Sequence, residues 1–209
     1  MNDFSLIETM HYQPGTGVAR FNLHMARLRN SAKVLGFAGA DDARSALLGY
    51  VAEQASPLRL RLELLPDGRH EITSAPYMPL LVDTMWKIRV AGTARLTSTD
   101  PILRHKTSKR AVYDAARAEY ARGDADEVIL LNEKDELCEG TITNVFVDDG
   151  AGGLLTPPLS SGCLAGVLRT SLLCAKRARN RRLTVDDLRR KPFYVGNSLR
   201  GLIRAELVS

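Results

Sequence analysis

The sequence predicts a two-domain protein of the mixed α+β or α/β class, on two observations. The first stretch of about eighty residues combines a strand, two amphipathic helices and a hairpin, which is within the usual size of a domain. After a proline-flanked segment at 75–85, short apolar strands alternate with turns and helical runs. We therefore predict a small α+β domain at 1–78, a linker at 79–85 and a larger C-terminal domain at 86–209.

The first domain is predicted element by element. Residues 4–12 form a strand, and QPGTG the turn after it. Apolar residues then recur at near-helical intervals up to Leu35, and Gly36 suits the position after a helix. A second helix is predicted with Asp41 as N-cap, because an apolar stripe follows it. In PLRLRLELL leucines alternate with charged residues, which predicts a strand with one buried face, and PDGR turns it into a hairpin.

The second domain opens with an alternating strand, WKIRVAGTAR, at 86–95. Ser108 is predicted to cap a helix that Gly123 closes. Further strands are predicted at 127–131, 137–139, 143–148, 154–155, 181–185 and 193–197. A helix at 165–178 and the final strand LIRAELV complete this domain.

Composition indicates an ordinary soluble protein, with 44% apolar and 25% charged residues. No apolar run is long enough to span a bilayer, and no signal peptide opens the chain. The three cysteines, Cys138, Cys163 and Cys174, form no CxxC pair and leave one odd, which fits a reduced compartment. We therefore expect a cytoplasmic protein that does not contact a membrane.

The net charge of +5 raises the question of a nucleic-acid partner. Much of the excess lies at 176–191, KRARNRRLTVDDLRRK, where no aromatic residues interleave with the charges. That pattern favours a solvated helix end over nucleic-acid binding, while a basic field would attract a small anionic substrate. His24 has no second ligand at a suitable spacing, so no metal is predicted and His24 is expected to pack or cap.

Lys106 and Glu139, which lie 33 residues apart, are the ionisable residues whose setting indicates chemistry. Lys106 follows the loop DPILRHK and precedes a helix-like run. Glu139 ends a short strand and begins a Glu-x-x-x-x-Asn signature that ends at Asn144. Either residue alone would usually be a surface residue. The spacing, the order of elements and the signature together indicate a functional site. Asn144 is predicted to support its strand.

Three motifs in this region, HKTSKR at 105–110, EGTITNVF at 139–146 and AGVLR at 165–169, resemble the class IV aminotransferase family of pyridoxal-phosphate enzymes. HKT and NSLRG, at 197–201, are most similar to aminodeoxychorismate lyases and to the lyase-like domain at the C-terminus of aminodeoxychorismate synthase. The resemblance implies the D-amino acid aminotransferase-like fold, pyridoxal 5'-phosphate in the interdomain cleft, and a homodimer.

The resemblance also assigns roles to residues. Lys106 would hold the cofactor aldehyde as a Schiff base and move a proton, and Glu139 would face the pyridine nitrogen. The helix HMARLRNSA is similar to the family's H-x-x-R-L-x-x-S-A helix, in which the arginine, here Arg27, faces the phosphate.

The rest of the phosphate cradle is expected from two further turns. The backbone of Val167 and Leu168, where a helix begins, would bind the phosphate through amides and the helix dipole. Ser198 in GNSLRG would add a hydroxyl.

Two departures from the transaminase branch bear on the reaction. Ala111 stands where that branch has a tyrosine, and Leu168 where branched-chain transaminases have a threonine. Both favour a lyase that converts 4-amino-4-deoxychorismate into 4-aminobenzoate and pyruvate for folate synthesis. Thr9 and Lys106 both remain candidates for the proton donor to pyruvate. The alternatives are an aminotransferase acting on D- or branched-chain amino acids and, from another class, a basic nucleic-acid-binding module.

Overall fold

A computed structural model describes residues 3–208, and the chain divides into two compact units. Unit 1 comprises Met1–Pro79 and His105–Lys109, and unit 2 comprises Leu80–Arg104 and Arg110–Ser209. Each unit contains a sheet and helices, so the predicted mixed class is confirmed. Within residues 3–208, no helix is long and apolar enough to cross a membrane.

Unit 1 is built on a four-stranded antiparallel sheet in the order β2-β1-β3-β4. Its strands are β1 (Leu6–Gln13), β2 (Gly17–Val18), β3 (Leu58–Leu64) and β4 (His70–Pro76). Its helices are α1 (Phe21–Leu35) and α2 (Ala40–Ala52). The even-numbered leucines of β3 are buried while Arg59 and Arg61 are exposed, as the alternation predicts.

In unit 1 the predicted end of α1 is confirmed and the predicted start of α2 is wrong. Gly36 follows α1 with φ 73°, and its N–H bonds to the carbonyl of Ala32, which confirms the predicted end. The predicted N-cap Asp41 of α2 is wrong, because the helix begins at Ala40 with Gly39 as its cap. A Cβ on Gly39 would lie 2.5 Å from the carbonyl oxygen of Gly68, so the helix start is set by this approach to the β3–β4 turn.

Unit 2 is built on an eight-stranded sheet in the order β10-β9-β8-β11-β12-β5-β6-β7. Its strands are β5 (Met85–Leu96), β6 (Glu127–Asn132), β7 (Leu137–Gly140), β8 (Asn144–Asp148), β9 (Leu154–Thr156), β10 (Ala178–Asn180), β11 (Phe193–Asn197) and β12 (Gly201–Leu207). Its α-helices are α3 (Ala111–Ala118), α4 (Val167–Cys174) and α5 (Val185–Arg190). Strand β5 pairs in parallel with both β6 and β12.

Apolar clusters fix the helices of unit 2 on this sheet. Val128 and Leu130 of β6 pack with Ala116 of α3, whereas Ile129 and Leu131 belong to a second apolar cluster, so β6 is buried on both faces. Phe146 of β8 packs with Leu168 and Leu172 of α4. Both helices that border the candidate site are therefore held by buried side chains.

Three predicted elements of unit 2 differ from the structure. The helix expected at 165–178 spans only Val167–Cys174, and Ala178 already belongs to β10. The helix expected from Ser108 to Gly123 spans only Ala111–Ala118. Ser108 does not cap it, because its hydroxyl accepts the N–H of Ser5 and its own N–H bonds to the carbonyl of Ser5. The strand expected at 181–185 is wrong. Thr184 and Asp187 form a capping box that begins α5, and the strand of this region, β10, ends at Asn180.

The domain assignment of Lys106 also needs correction. We predicted it in the larger C-terminal domain, whereas the structure groups His105–Lys109 with unit 1. The N–H of Ile7 donates to the carbonyl of Lys106 at 2.8 Å, and Thr107 forms a β-bridge with Leu6. A long-range backbone pairing therefore decides the unit to which the lysine belongs.

Candidate active site

Lys106 is held through its own carbonyl and through the side chain of its neighbour His105. Its carbonyl accepts the N–H of Ile7 in β1, and the Nδ1 of His105 lies 2.9 Å from the hydroxyl oxygen of Ser31 in α1. The side chain of Lys106 is partly exposed. The lysine thus lies on an extended segment anchored to one strand and one helix of unit 1.

Arg27 of α1 is held by a buried carboxylate that the sequence analysis missed. Its Nε donates to Glu8 Oε1 at 2.8 Å and its terminal nitrogen to Glu8 Oε2 at 2.6 Å, a two-point contact that fixes the guanidinium plane. The Nδ1 of His24 lies 2.5 Å from Glu8 Oε2. His24 was expected to pack or cap, and the structure shows it fully buried beside this carboxylate.

The charge state of Glu8 follows from these partners. Burial alone would raise the pKa of this carboxyl. The positive charge of Arg27 and the hydrogen bonds from His24 and Arg27 outweigh burial and lower the pKa to about 2. Glu8 therefore remains a carboxylate at all ordinary pH values, and β1 carries a fixed negative partner for Arg27.

Glu139 of β7 is 5% exposed, and both of its oxygens accept hydrogen bonds. The hydroxyl of Tyr113, on α3, donates to Oε1 at 2.8 Å, and Nδ2 of Asn144 donates to Oε2 at 3.3 Å. The same amide group of Asn144 donates to the carbonyl of Leu164 at 3.2 Å. Asn144 thus supports Glu139 as well as its strand, whereas Tyr113 gave no recognisable signal in the sequence.

The turn between Glu139 and Asn144 is organised by a second buried carboxylate, Glu127 of β6. It accepts hydrogen bonds from the amides of residues 128, 141 and 142 and from the hydroxyls of Thr141 and Thr143. A Cβ on Gly140 would lie 2.7 Å from Glu127 Oε2, so only glycine leaves room for the carboxylate. Glu127 was not identified from the sequence, where it looks like the polar start of an apolar strand.

Two outer contacts complete the support of this turn. A terminal nitrogen of Arg110 donates to the carbonyl of Thr141 at 2.7 Å, and Nδ2 of Asn197 donates to the carbonyl of Ile142 at 3.2 Å. The turn is therefore tied to the start of α3 and to the end of β11.

The start of α4 lies against Asn144. Gly166 precedes the helix, and among residues 3–208 no side chain caps it, so the amides of its first turn, including Val167 and Leu168, are available to a ligand. A Cβ on Gly166 would lie only 1.8 Å from Asn144 Oδ1. The side chain of Leu168 is buried, with Cδ2 2.9 Å from where a Cβ of Gly196 would lie.

Ser198 lies in the turn between β11 and β12 and is 8% exposed. Asn197 Oδ1 closes this turn by accepting the amides of Leu199 and Arg200 at 3.1 and 3.0 Å. The contacts of Leu168 with Gly196 and of Asn197 with Ile142 bring this turn, the start of α4 and the Glu139 strand together.

The predicted site residues therefore fall into two sets. Lys106 and Arg27 both gather around β1 in unit 1. Glu139, the start of α4 and the Ser198 turn gather at one edge of the sheet in unit 2. In the part of the chain that the structure describes, no cluster of three or more His, Cys, Asp or Glu residues could hold a metal ion.

This arrangement agrees with comparisons to known proteins. The family model described as "Amino-transferase class IV" matches residues 5–208, so the chain belongs to this family of pyridoxal-phosphate-dependent enzymes. It is similar to the crystal structure of a "Putative amino-acid aminotransferase" from Mesorhizobium loti, with 48% identity and a TM-score of 0.95. That match covers 99% of this chain and 100% of the other.

Two curated relatives have different names. A "Probable branched-chain-amino-acid aminotransferase" of Thermotoga maritima is 29% identical over 170 residues, which is 78% of this chain and 60% of that protein. A "Putative aminodeoxychorismate lyase" of Schizosaccharomyces pombe is 28% identical over 155 residues, which is 72% of this chain and 65% of that protein. The chain thus spans less than two thirds of the length of each.

The pKa of Glu8 generates a prediction about stability. The pKa lies at about 2 in the folded chain against an ordinary 4.5. Its stabilising contribution is therefore complete above about pH 4.5 and is lost as the pH falls towards 2. As the pH falls from 4.5 to 2, the unfolding free energy of the wild type should fall by up to about 3 kcal/mol more than that of Glu8→Gln. Urea unfolding at a series of pH values measures this, with the exposed Glu71→Gln as control. Equal slopes for wild type and Glu8→Gln would contradict the assignment.

The contact between Gly166 and Asn144 generates a second prediction. In Gly166→Ala the new methyl group collides with Asn144 Oδ1, and we expect the free energy of unfolding to fall by about 1–3 kcal/mol. The cost should largely disappear in an Asn144→Ala background, where the obstructing atom is absent. A double-mutant cycle measures the coupling. Gly123→Ala is the control, because a Cβ there meets nothing within 4 Å. A coupling near zero would show that the two residues do not touch.

Proposed function

We propose that the chain is a pyridoxal-phosphate-dependent lyase that converts 4-amino-4-deoxychorismate into 4-aminobenzoate and pyruvate. The observation that carries this choice is the start of α4. Leu168 directs its side chain into the core against Gly196, so this position offers its backbone amide and no side-chain hydroxyl. Ala111, likewise without a hydroxyl, is the first residue of α3. The similarity to the fission-yeast protein supports the same choice.

The residues present fit pyridoxal phosphate. An uncapped helix start with a glycine that must remain small suits a phosphate, and a buried carboxylate with neutral donors on both oxygens suits a protonated ring nitrogen. We propose that Val167, Leu168, Ser198 and Arg27 bind the phosphate, that Glu139 binds the ring nitrogen and that Lys106 holds the aldehyde carbon. When bound, the cofactor supplies an electron sink for the reacting carbon.

The side chains of this chain have limited tasks in such a reaction. Once the substrate amine has displaced it from the cofactor, Lys106 would have a free amine and would remove the proton from the amine-bearing carbon of the substrate. Glu139 keeps its negative charge throughout, with Asn144 and Tyr113 fixing its two oxygens. The enolpyruvyl group leaves as the substrate ring becomes aromatic, which supplies much of the driving force. Lys106 or Thr9 then returns a proton to the departing pyruvate.

The second candidate is an aminotransferase for D- or branched-chain amino acids, which would use Lys106 and Glu139 in the same roles. The specific observation in its favour is that the Mesorhizobium and Thermotoga proteins both carry aminotransferase names. An aminotransferase must accept a keto acid as second substrate, whereas the lyase needs none. That difference separates the two candidates experimentally.

A homodimer and a small anionic substrate are proposed alongside the reaction. The net charge of +5 would favour an anion. Met78, Leu81 and Val82 are 80%, 85% and 97% exposed, and such a run of exposed apolar side chains is typical of a surface that meets another protein. A second copy of this chain is the partner that we propose.

The role of Lys106 gives a prediction about labelling. Borohydride reduction of the cofactor-loaded protein, followed by peptide mapping, should place the reduced cofactor on residue 106. The reason is that the lysine holding the aldehyde carbon forms the bond that borohydride reduces. Lys106→Ala serves as control and should carry no label. A label on Lys87, Lys109 or Lys134 would contradict the assignment.

The reaction gives a further prediction. The purified chain loaded with pyridoxal phosphate should form 4-aminobenzoate and pyruvate from 4-amino-4-deoxychorismate without added keto acid. Both products are measured by chromatography, and an enzyme incubated with D-alanine or leucine plus a keto acid is the comparison. Amino transfer to the keto acid without any 4-aminobenzoate would establish the second candidate. The assigned roles of Lys106 and Glu139 would survive that outcome.

A further inference from the structure

Tyr113 makes a contact with the candidate acid that no sequence motif indicated. Its hydroxyl donates to Glu139 Oε1 at 2.8 Å. The residue lies in the first turn of α3, and its ring packs against the apolar cluster formed by β5, β6 and α3. The guanidinium of Arg110 lies over the same ring, 5.1 Å from its centre. The position of the hydroxyl is therefore set by packing on both sides of the ring.

In this hydrogen bond Tyr113 is always the donor and Glu139 the acceptor. Burial, and then the negative charge of Glu139, raise the pKa of Tyr113 far above its ordinary value. The phenol therefore keeps its proton and donates it in a hydrogen bond to the carboxylate. Asn144 approaches the other oxygen at the longer distance of 3.3 Å. Tyr113 is thus the closer of these two donors.

A buried carboxylate needs such donors to stay charged. Without them, burial favours the protonated, neutral form, and the side chain is free to rotate. A neutral or misdirected acid could not hold a protonated pyridine nitrogen.

We propose that Tyr113 is a positioning residue that keeps Glu139 charged and directed at the ring nitrogen of the cofactor. This inference rests on the proposed function, because it assumes that Glu139 binds that nitrogen. Tyr113 itself touches neither cofactor nor substrate in this role.

The test compares two ligands that differ only at the ring nitrogen. Pyridoxal 5'-phosphate and its 1-deaza analogue, in which C–H replaces that nitrogen, are titrated calorimetrically into the cofactor-free full chain. The ratio of the two dissociation constants isolates the contribution of the nitrogen. General loosening of the structure weakens both ligands alike and leaves the ratio unchanged.

We expect the wild type to prefer pyridoxal phosphate and Glu139→Gln to lose most of this preference. Tyr113→Phe should reduce the preference about tenfold, as expected for the loss of a hydrogen bond to a charged group. Tyr120→Phe is the matched control. Its hydroxyl donates to the carbonyl of Val90 at 2.8 Å, so its removal should leave the ratio within about twofold.

The possible outcomes distinguish the proposed role of Glu139 from that of Tyr113. A wild type that binds both ligands equally contradicts the role of Glu139 and with it the role of Tyr113. A preference that disappears in Glu139→Gln but persists or increases in Tyr113→Phe overturns the role of Tyr113 alone. Thermal melting of Tyr113→Phe confirms that the variant tested is folded.

Discussion

The candidate site of unit 2 depends on the buried carboxylate of Glu127. This group accepts three backbone amides and two threonine hydroxyls from β6 and the turn that follows Glu139. Backbone amides that are buried in such a turn would each cost about 1–3 kcal/mol without a hydrogen-bond partner. One carboxylate satisfies them together. Glu127 therefore stabilises the turn between the two strands that carry Glu139 and Asn144.

Unit 1 uses the same device at Arg27. Glu8 is buried, remains charged, and fixes the arginine through both oxygens while His24 approaches from the side. A long flexible side chain is thereby ordered in advance, which would lower the entropy lost if Arg27 binds the phosphate as proposed. In both units, a buried acid in a strand orders the residue that the family resemblance assigns to the cofactor. Preorganisation of this kind is expected of a binding site. The residues that provide it contact the motif residues but are not themselves part of the motifs.

Local pattern was enough to predict much of the fold, and long-range contacts decided the remainder. The leucine alternation of β3 and the glycine after α1 were readable because they depend on neighbours in sequence. The start of α2 depends on Gly68, and the unit to which Lys106 belongs depends on Ile7, which lies about a hundred residues away. For the same reason the family motifs identified Lys106, Glu139 and Arg27, whereas their supports Glu8, Tyr113 and Glu127 carried no sequence signal.

Tyr113 also bears on the choice between the two reactions. The absence of a tyrosine at Ala111 was an argument for the lyase, yet α3 does present a tyrosine two residues later. The two facts are compatible, because the proton of Tyr113 is already donated to Glu139 and the raised pKa of the phenol prevents its loss. That proton cannot also be donated to a group on the cofactor or substrate. Tyr113 therefore does not replace the tyrosine that is missing at Ala111, and it leaves the argument for the proposed lyase unchanged.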